Sequence, residues 1–367
     1  MILIKIQNYI IKFIVNILFN VEHDKPKKIA IYRFGSFGDS IVTFPTIKAI
    51  NQHYKNVTIH IYNKPENDNL IKMNDLLNDN MYDKLITLKA NTSIKEFYSI
   101  VKKEKYDIWF ELSSAGLTLS KALKKVLFLK FCGVKSINGL EVTPNQFLAK
   151  YYKRNYSFIS ERERLLKHLD TFNIETQKCH LNFPLKSISE NIKKVEGQLK
   201  SDNIDRKKLI VLITKSKRDS TTWSENNWIN LSNQLIEKGY HLALIGAPSD
   251  SIFILPIVKK VNSQYIKSYA GIFSVLDSAA LLKLSRLAIS VDTGPMHLAY
   301  AVGTKVISLF SARDYIEKWY PPKELGIVIR KDIKCSPCFL DDCPISNECM
   351  NNIECVDIIQ LDYIDDK

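Results

Sequence analysis

The 367-residue chain lacks the common glycine signatures of nucleotide binding. Its most glycine-marked turn, Gly35-Ser-Phe-Gly38, has neither the G-x-G-x-x-G spacing of dinucleotide folds nor the form of a Walker loop. Both phosphate-binding classes are set aside. No Lys/Arg-dense run interleaved with aromatic residues occurs, so nucleic acid is a poor partner. No short-period repeat is visible, which excludes solenoids, and no stretch is low-complexity beyond a general richness in Lys, Asn and Ile. The seven cysteines do not span the chain as a disulfide scaffold. Five of them, Cys335, Cys338, Cys343, Cys349 and Cys355, crowd its last part, which points to a reducing cytoplasm.

What is present is ordinary globular material, 46% hydrophobic and 25% charged, in a chain long enough for two domains with sizeable cores. The net charge of +13 suits anionic membrane or phosphorylated ligands. Residues 1–20 are strongly apolar, but Lys5, Asn8, Lys12, Asn16 and Asn20 recur at helical steps. They form a polar stripe opposite Leu3, Ile6, Ile10, Phe13, Ile14 and Ile17. The stripe interrupts the segment too often for a spanning helix, and no small-residue cleavage site follows. The pattern fits equally a helix lying in the inner face of a membrane, with Lys25, Lys27 and Lys28 beside it, and a helix packed on its own domain or a partner.

The chain is organised around residues 29–46. An apolar run, Ile29 to Tyr32, reads as a buried strand, and Gly35 and Gly38 permit a tight turn. Asp39 and Ser40 stand where a helix begins, followed by Ile41, Phe44, Ile47 and Ile50 at helical spacing. Strands at 57–62, 85–88 and 106–112 alternate with helices, among them 93–105 and a long basic helix at 115–131. After a helix at 161–172 and a connection at 176–184, a second alternating set begins. Its strands are at 209–214, 241–245, 287–291 and 305–310, with helices at 225–238, 251–261, 274–284 and 295–302. Alternation of this kind predicts α/β architecture with doubly wound parallel sheets. The expected plan is an amphipathic helix in 1–26 and Rossmann-like domains in 27–180 and 181–330. Residues 331–367 form a Cys-rich closing segment. Two such halves are expected to face each other across a cleft.

Ligands of open α/β sheets bind at the carboxyl ends of strands, so the loops there carry the candidate site. On the first half these are Arg33, Gly35, Ser36 and Gly38, with the carboxylate of Asp39. On the second half, Ser290-Val-Asp-Thr-Gly-Pro-Met-His-Leu-Ala299 ends a strand and opens a helix. Asp292 or Thr293 can cap it and Pro295 suits its first turn. Backbone amides at Asp292, Thr293 and Gly294 would favour an anion, with Met296 and His297 one turn in. A capped core helix reads the same way. Lys215, Lys217 and Arg218 follow a strand and can neutralise phosphate. Gly246, Ser249 and Asp250 follow another and can hold ribose hydroxyls. Four thiolates in the Cys335-x2-Cys338-x4-Cys343-x5-Cys349-x5-Cys355 tail could hold zinc or an iron–sulfur cluster, but the spacing is not that of paired zinc knuckles. Buried or paired cysteines are the expectation there, with no metal.

Together these motifs resemble glycosyltransferase family 9, the heptosyltransferases of lipopolysaccharide core assembly. The resemblance rests on Arg33-Phe-Gly-Ser-Phe-Gly-Asp39 with Thr43 and Pro45, on Trp223 to Trp228, and on Gly271. Asp292, Gly294, His297, Ala299 and Phe310, Trp319 with Pro321, and the tail Cys335-Ser-Pro-Cys338 … Cys343-Pro … Cys349-Met350 complete it. It implies a GT-B fold of two Rossmann-like domains and a metal-independent, inverting transfer of a sugar, without cofactor. The donor implied is a nucleotide diphosphate sugar, typically ADP-heptose, and the acceptor a glycolipid at the inner membrane. Asp39 matches the family's catalytic base and the start of the 292–297 segment its diphosphate site. A Lys-x-Trp-Pro segment usual in the family is altered: Thr221 stands at the Lys position and Ser224 at the Pro. Ser311-Ala-Arg-Asp314 likewise replaces the more usual Gly-Pro-Thr-Asp.

Overall fold

The computed structural model describes residues 2–19, 25–64, 71–113, 116–143 and 159–364. They fall into two compact units, the first running to Lys186 and the second carrying the chain from Ser187 onward.

The first unit is built on five parallel strands: β1 Lys28–Phe34, β2 Thr58–Lys64, β3 Lys84–Thr87, β4 Ile108–Glu111 and β5 Ser136–Asn138. Their order is β3-β2-β1-β4-β5. The strands on either side of β1 are thus reached by chain running in opposite directions, and the sheet has its switch point between β1 and β4. A strand covered on both faces needs apolar residues in succession, and Ile29, Ala30 and Ile31 are fully buried. Helices α1 Ile2–Leu18, α2 Phe37–His53, α3 Ile94–Glu104, α4 Leu119–Phe131 and α5 Glu161–His168 cover it. The basic helix α4 starts at Leu119 and not at 115. Thr118 caps it, its Oγ1 accepting from the Lys121 amide at 3.4 Å.

The first helix packs one face on its own unit. Ile4 and Ile11 are buried, and Ile11 with Val15 packs on Ala122 and Leu123 of α4. Asn8, of the polar stripe, belongs to this seam: it exchanges hydrogen bonds with the Val142 carbonyl and amide at 2.9 and 2.6 Å. The face bearing Leu3, Ile6, Phe13 and Ile17 stays exposed, Phe13 to 58% and Ile17 to 65%. Among the described residues no helix is long and apolar enough to cross a membrane.

The second unit has six parallel strands: β6 Leu209–Ile213, β7 His241–Leu244, β8 Ile266–Ser268, β9 Leu287–Val291, β10 Val306–Phe310 and β11 Gly326–Arg330. Their order, β11-β10-β9-β6-β7-β8, puts the switch point between β6 and β9. The connecting helices are α6 Ser189–Ser201, α7 Glu225–Glu237, α8 Ser251–Val261, α9 Val275–Leu284 and α10 Gly294–Ala301. Strands β5 and β8 were not anticipated because three residues are too few to show a period, and the half-buried β11 lies at the sheet edge. The Cys-rich tail is not a separate segment. Ile353, Ile358 and Ile364 belong to the core of this unit, and Trp223 Nε1 donates to the Ile353 carbonyl at 3.0 Å.

Asp277 locks α9 to α6. Its carboxylate accepts from Asn191 Nδ2 at 2.7 Å, Lys194 Nζ at 2.6 Å and the Ser274 amide at 3.1 Å. Burial pushes this carboxyl up, but these donors outweigh burial and hold it at about 2. An unfolded Asp titrates near about 3.9, so the group stabilises the fold above that pH and ceases to do so as pH falls through about 2. We expect Asp277→Ala to cost roughly 2 kcal/mol at pH 7. The difference from wild type should shrink below about pH 4 in urea titrations followed by tryptophan fluorescence.

Candidate active site

Each unit places its candidate residues at the carboxyl edge of its sheet, most of them at the switch point, where the strand order leaves a crevice. In the first unit β1 ends at Phe34 and Gly35 turns the chain with φ +138°, a conformation glycine adopts readily. The turn is anchored by the Gly35 amide on the Lys64 carbonyl at 3.2 Å. Ser36 is the N-cap of α2 and Asp39 its third residue. Asp39 Oδ2 accepts from the Ser36 amide at 2.7 Å and from Ser36 Oγ at 2.8 Å. Its Oδ1 meets Arg33 Nη2 at 3.2 Å. Asp39 therefore serves as a capping residue, and its side chain also stays 15% accessible. Arg33, only 1% exposed, spans to β4 by donating from Nη1 to the Leu112 carbonyl at 3.0 Å. Gly38 is buried in the first turn, and Ile41, Phe44, Ile47 and Ile50 fix α2 on the sheet.

Further charged groups at this edge escaped the sequence reading. Glu111 closes β4 opposite Tyr32, is buried, and accepts from Ser113 Oγ, Lys125 Nζ and Trp109 Nε1. The signal for it was an acid ending the apolar run Ile-Trp-Phe-Glu. Arg164 on α5 donates to the Ser113 carbonyl at 2.9 Å and to Glu161 at 3.0 and 2.8 Å.

In the second unit Ser216, just past β6, donates from Oγ to the Asp292 carbonyl at 3.1 Å, joining the two strand exits that flank the switch point. Asp292, Thr293 and Gly294 are half-exposed there. Thr293 is the N-cap of α10 with extended backbone and no side-chain cap bond. Met296 and His297 point into the fold: Met296 is fully buried, and His297 Nδ1 lies 2.6 Å from Tyr300 Oη with its ring edge-on to Trp319. The basic residues are tied locally. Lys215 Nζ pairs with Asp219 at 2.7 Å and Arg218 Nε with Asp341 at 2.8 Å, while Lys217 is exposed. Asp341 also takes Arg313 at 2.9 Å. Burial raises its carboxyl, but the two guanidinium groups bring it below the usual range. Thr221 is buried and spends its hydroxyl on the Arg218 carbonyl at 3.0 Å.

Past β7, Gly246 holds the Gly271 amide at 3.1 Å, Asp250 accepts from the Ala247 amide at 2.8 Å, and Ser249 is exposed. Past β10, Asp314 accepts from Trp319 Nε1 at 2.9 Å and from the Tyr315 amide at 2.8 Å, with Lys318 at 3.5 Å. The chain's cysteines are free thiols. Burial raises the Cys335 and Cys349 thiols. Among the described residues no group of three or more His, Cys, Asp or Glu is placed to hold a metal.

Two parallel-sheet units, each with a polar loop at its switch point, define a two-domain α/β protein of the kind that binds ligands at its strand ends. The family model of glycosyltransferase family 9 (heptosyltransferase) matches residues 102–348, and the chain belongs to that family; it is a glycosyltransferase. Lipopolysaccharide heptosyltransferase 3 of Escherichia coli is 22% identical over 294 residues, 77% of this chain and 83% of its own length. A family 9 glycosyl transferase from Veillonella parvula DSM 2008 superposes with a TM-score of 0.65 at 16% identity, covering 84% of this chain and 88% of its own. An E. coli heptosyltransferase solved with ADP-2-deoxy-2-fluoro heptose does so at 0.57 and 16%, covering 83% and 93%. The shared fold is GT-B.

Gly35 generates a direct test. A Cβ there would sit 2.7 Å from both Arg33 Nη2 and Asp39 Oδ2, so Gly35→Ala must separate that pair as well as strain the turn. We expect a loss of about 1–3 kcal/mol and reduced transfer, measured by thermal unfolding and nucleotide release.

Proposed function

We propose that this enzyme transfers a heptose from ADP-heptose to a lipopolysaccharide core or related surface glycan acceptor, with inversion and without metal. The acceptor hydroxyl attacks the anomeric carbon. Its new C–O bond forms as the bond to the nucleotide diphosphate breaks, and the proton passes to Asp39. The observation that carries this reading is the clamped carboxylate. With Oδ2 on Ser36 and Oδ1 on Arg33, Asp39 is oriented before substrate arrives and keeps an open acceptor position, as a general base requires.

On the second unit, the 292–297 segment receives the diphosphate at the start of α10, where amides and helix dipole favour an anion. Lys215, Lys217 and Arg218 supply positive charge to the leaving group, and Gly246, Ser249 and Asp250 hold the ribose. The E. coli relative solved with an ADP-heptose analogue supports the donor. A second reading, another nucleotide-linked hexose or binding without turnover, is favoured by Thr221. Its hydroxyl is already spent where relatives usually carry a phosphate-binding Lys. Titration with ADP-, UDP- and GDP-sugars, followed by nucleotide release with acceptor present, separates the readings.

The acceptor side is proposed to work at the cytoplasmic face of the inner membrane, without nucleic acid. Helices α1 and α4 carry Lys5, Lys12, Lys121, Lys124, Lys125 and Lys130 and no acid. Their exposed apolar residues include Ile6, Phe13, Ile17, Leu127 and Phe131, which suits an anionic lipid surface.

Asp39→Asn should lower transfer at least about 100-fold while ADP affinity by calorimetry stays unchanged; wild-type turnover in the variant would remove Asp39 as the base. The wild-type chain should sediment with phosphatidylglycerol vesicles, and Ile6→Gln/Phe13→Gln/Ile17→Gln should not, at unchanged thermal stability. Failure of the wild type to sediment would overturn the membrane contact.

A further inference from the structure

We propose that a groove between α7 and the closing tail of the second unit is a further binding site, for a neutral saccharide. The tail contributes two short helices, α11 Glu348–Asn351 and α12 Cys355–Ile359. Between them and α7 lies a cavity of about 500 Å³, within the range of small-ligand sites. Its two walls are tied together, since Cys355 Sγ donates to the Asn227 carbonyl at 3.5 Å. Ile353, fully buried, lines it from below and has its carbonyl taken by Trp223. None of the strand-exit residues described above belongs to this lining.

The lining is rich in carboxamides. Asn227, Asn230, Asn233 and Gln234 come from α7 and Asn351 from the tail. From Asn226 to Ile236 the helix holds no charged residue, although the solvent side of a helix is normally charged. Asparagine is a poor helix former because its amide competes with the backbone, so this run opposes the local preference. Packing does not account for it: Trp228, Leu231 and Leu235 anchor α7 in the core, while Asn230 and Asn233 are exposed. Among the described residues, the side chains of Asn230, Asn233 and Gln234 make no hydrogen bond within the protein. Positions that break a local rule without such a return are where function is expected.

Chemistry narrows the ligand. In a chain of net charge +13, no Lys or Arg is among the residues lining the groove, which disfavours phosphates and nucleotides. A carboxamide presents donors and an acceptor in one plane, the complement of neighbouring sugar hydroxyls that each donate and accept. Glu354 adds an exposed carboxylate with room to accept from two hydroxyls, and it repels an acidic ligand. Val356, 43% exposed, and Ile353 offer a small apolar surface to the C–H face of a ring. A neutral, hydroxyl-rich compound meets all of these groups. In a glycosyltransferase, such a site suits a neutral stretch of glycan chain.

The test uses the full chain and saturation-transfer NMR. Lactose, maltotriose and N-acetylglucosamine are the neutral probes, with glucose 6-phosphate and glucuronic acid as charged counterparts. At least one neutral probe should give a signal that rises and saturates with concentration, and the charged ones should bind at least about 10-fold more weakly. Asn230→Ala/Asn233→Ala should weaken the neutral probe at least about 10-fold, as expected for two lost hydrogen bonds, with ADP affinity by calorimetry unchanged. Because alanine favours a helix, this variant should melt at or above the wild-type temperature. Should it not fold, Asn230→Ala alone carries the comparison. Absence of binding by all three neutral probes, equal binding of charged and neutral ones, or undiminished binding in the folded variant overturns the proposal.

Discussion

Arg33 joins what the topology keeps apart. At a doubly wound switch point the chain leaves adjacent strands in opposite directions, so nothing in the connections themselves holds β1 and β4 exits in register. A guanidinium with 1% exposure fills that gap, one nitrogen on the Leu112 carbonyl and another on Asp39. Its planar fork can serve both partners at once, which a lysine cannot. The orientation of Asp39 is in this sense a property of two strands and one helix, and the glycine at 35 is small because the fork occupies the space a side chain would need.

The second unit solves the same problem with a neutral group. Ser216 bridges to the Asp292 carbonyl, leaving the start of α10 free of side-chain caps. The contrast fits the proposed partners: a fixed carboxylate where a proton is to be removed, open amides where a diphosphate is to be held.

Much of this was readable from the chain because it is written locally. The strand–glycine–acid run at 29–46 encodes its elements within a few residues, and the apolar runs of β6, β9 and β10 can only be buried strands. What was not readable depends on tertiary neighbours. Asn8 read only as part of a polar stripe until the loop after β5 brought Val142 to it, and the inward turn of Met296 and His297 follows from how α10 packs. The ends of β4 and α5 bring Glu111 and Arg164 to the site edge, Arg164 bonding Ser113 from 51 residues away, a distance no local pattern spans. Thr221 is the reverse case: the departure from the family pattern was visible in sequence, but not that its hydroxyl is already bonded to Arg218.

The closing of the second unit by its tail also has a consequence in time. Trp223, packed against Trp228 at the centre of that core, finds the carbonyl for its indole in Ile353, 130 residues later, and Tyr240 finds its partner in Ile364. During synthesis from the N-terminus, the first unit has its strands and covering helices available early and can fold as they emerge. The second must wait with two indoles uncovered until the last helices leave the ribosome. The first unit, with the Asp39 loop, is thus formed before the second unit is complete.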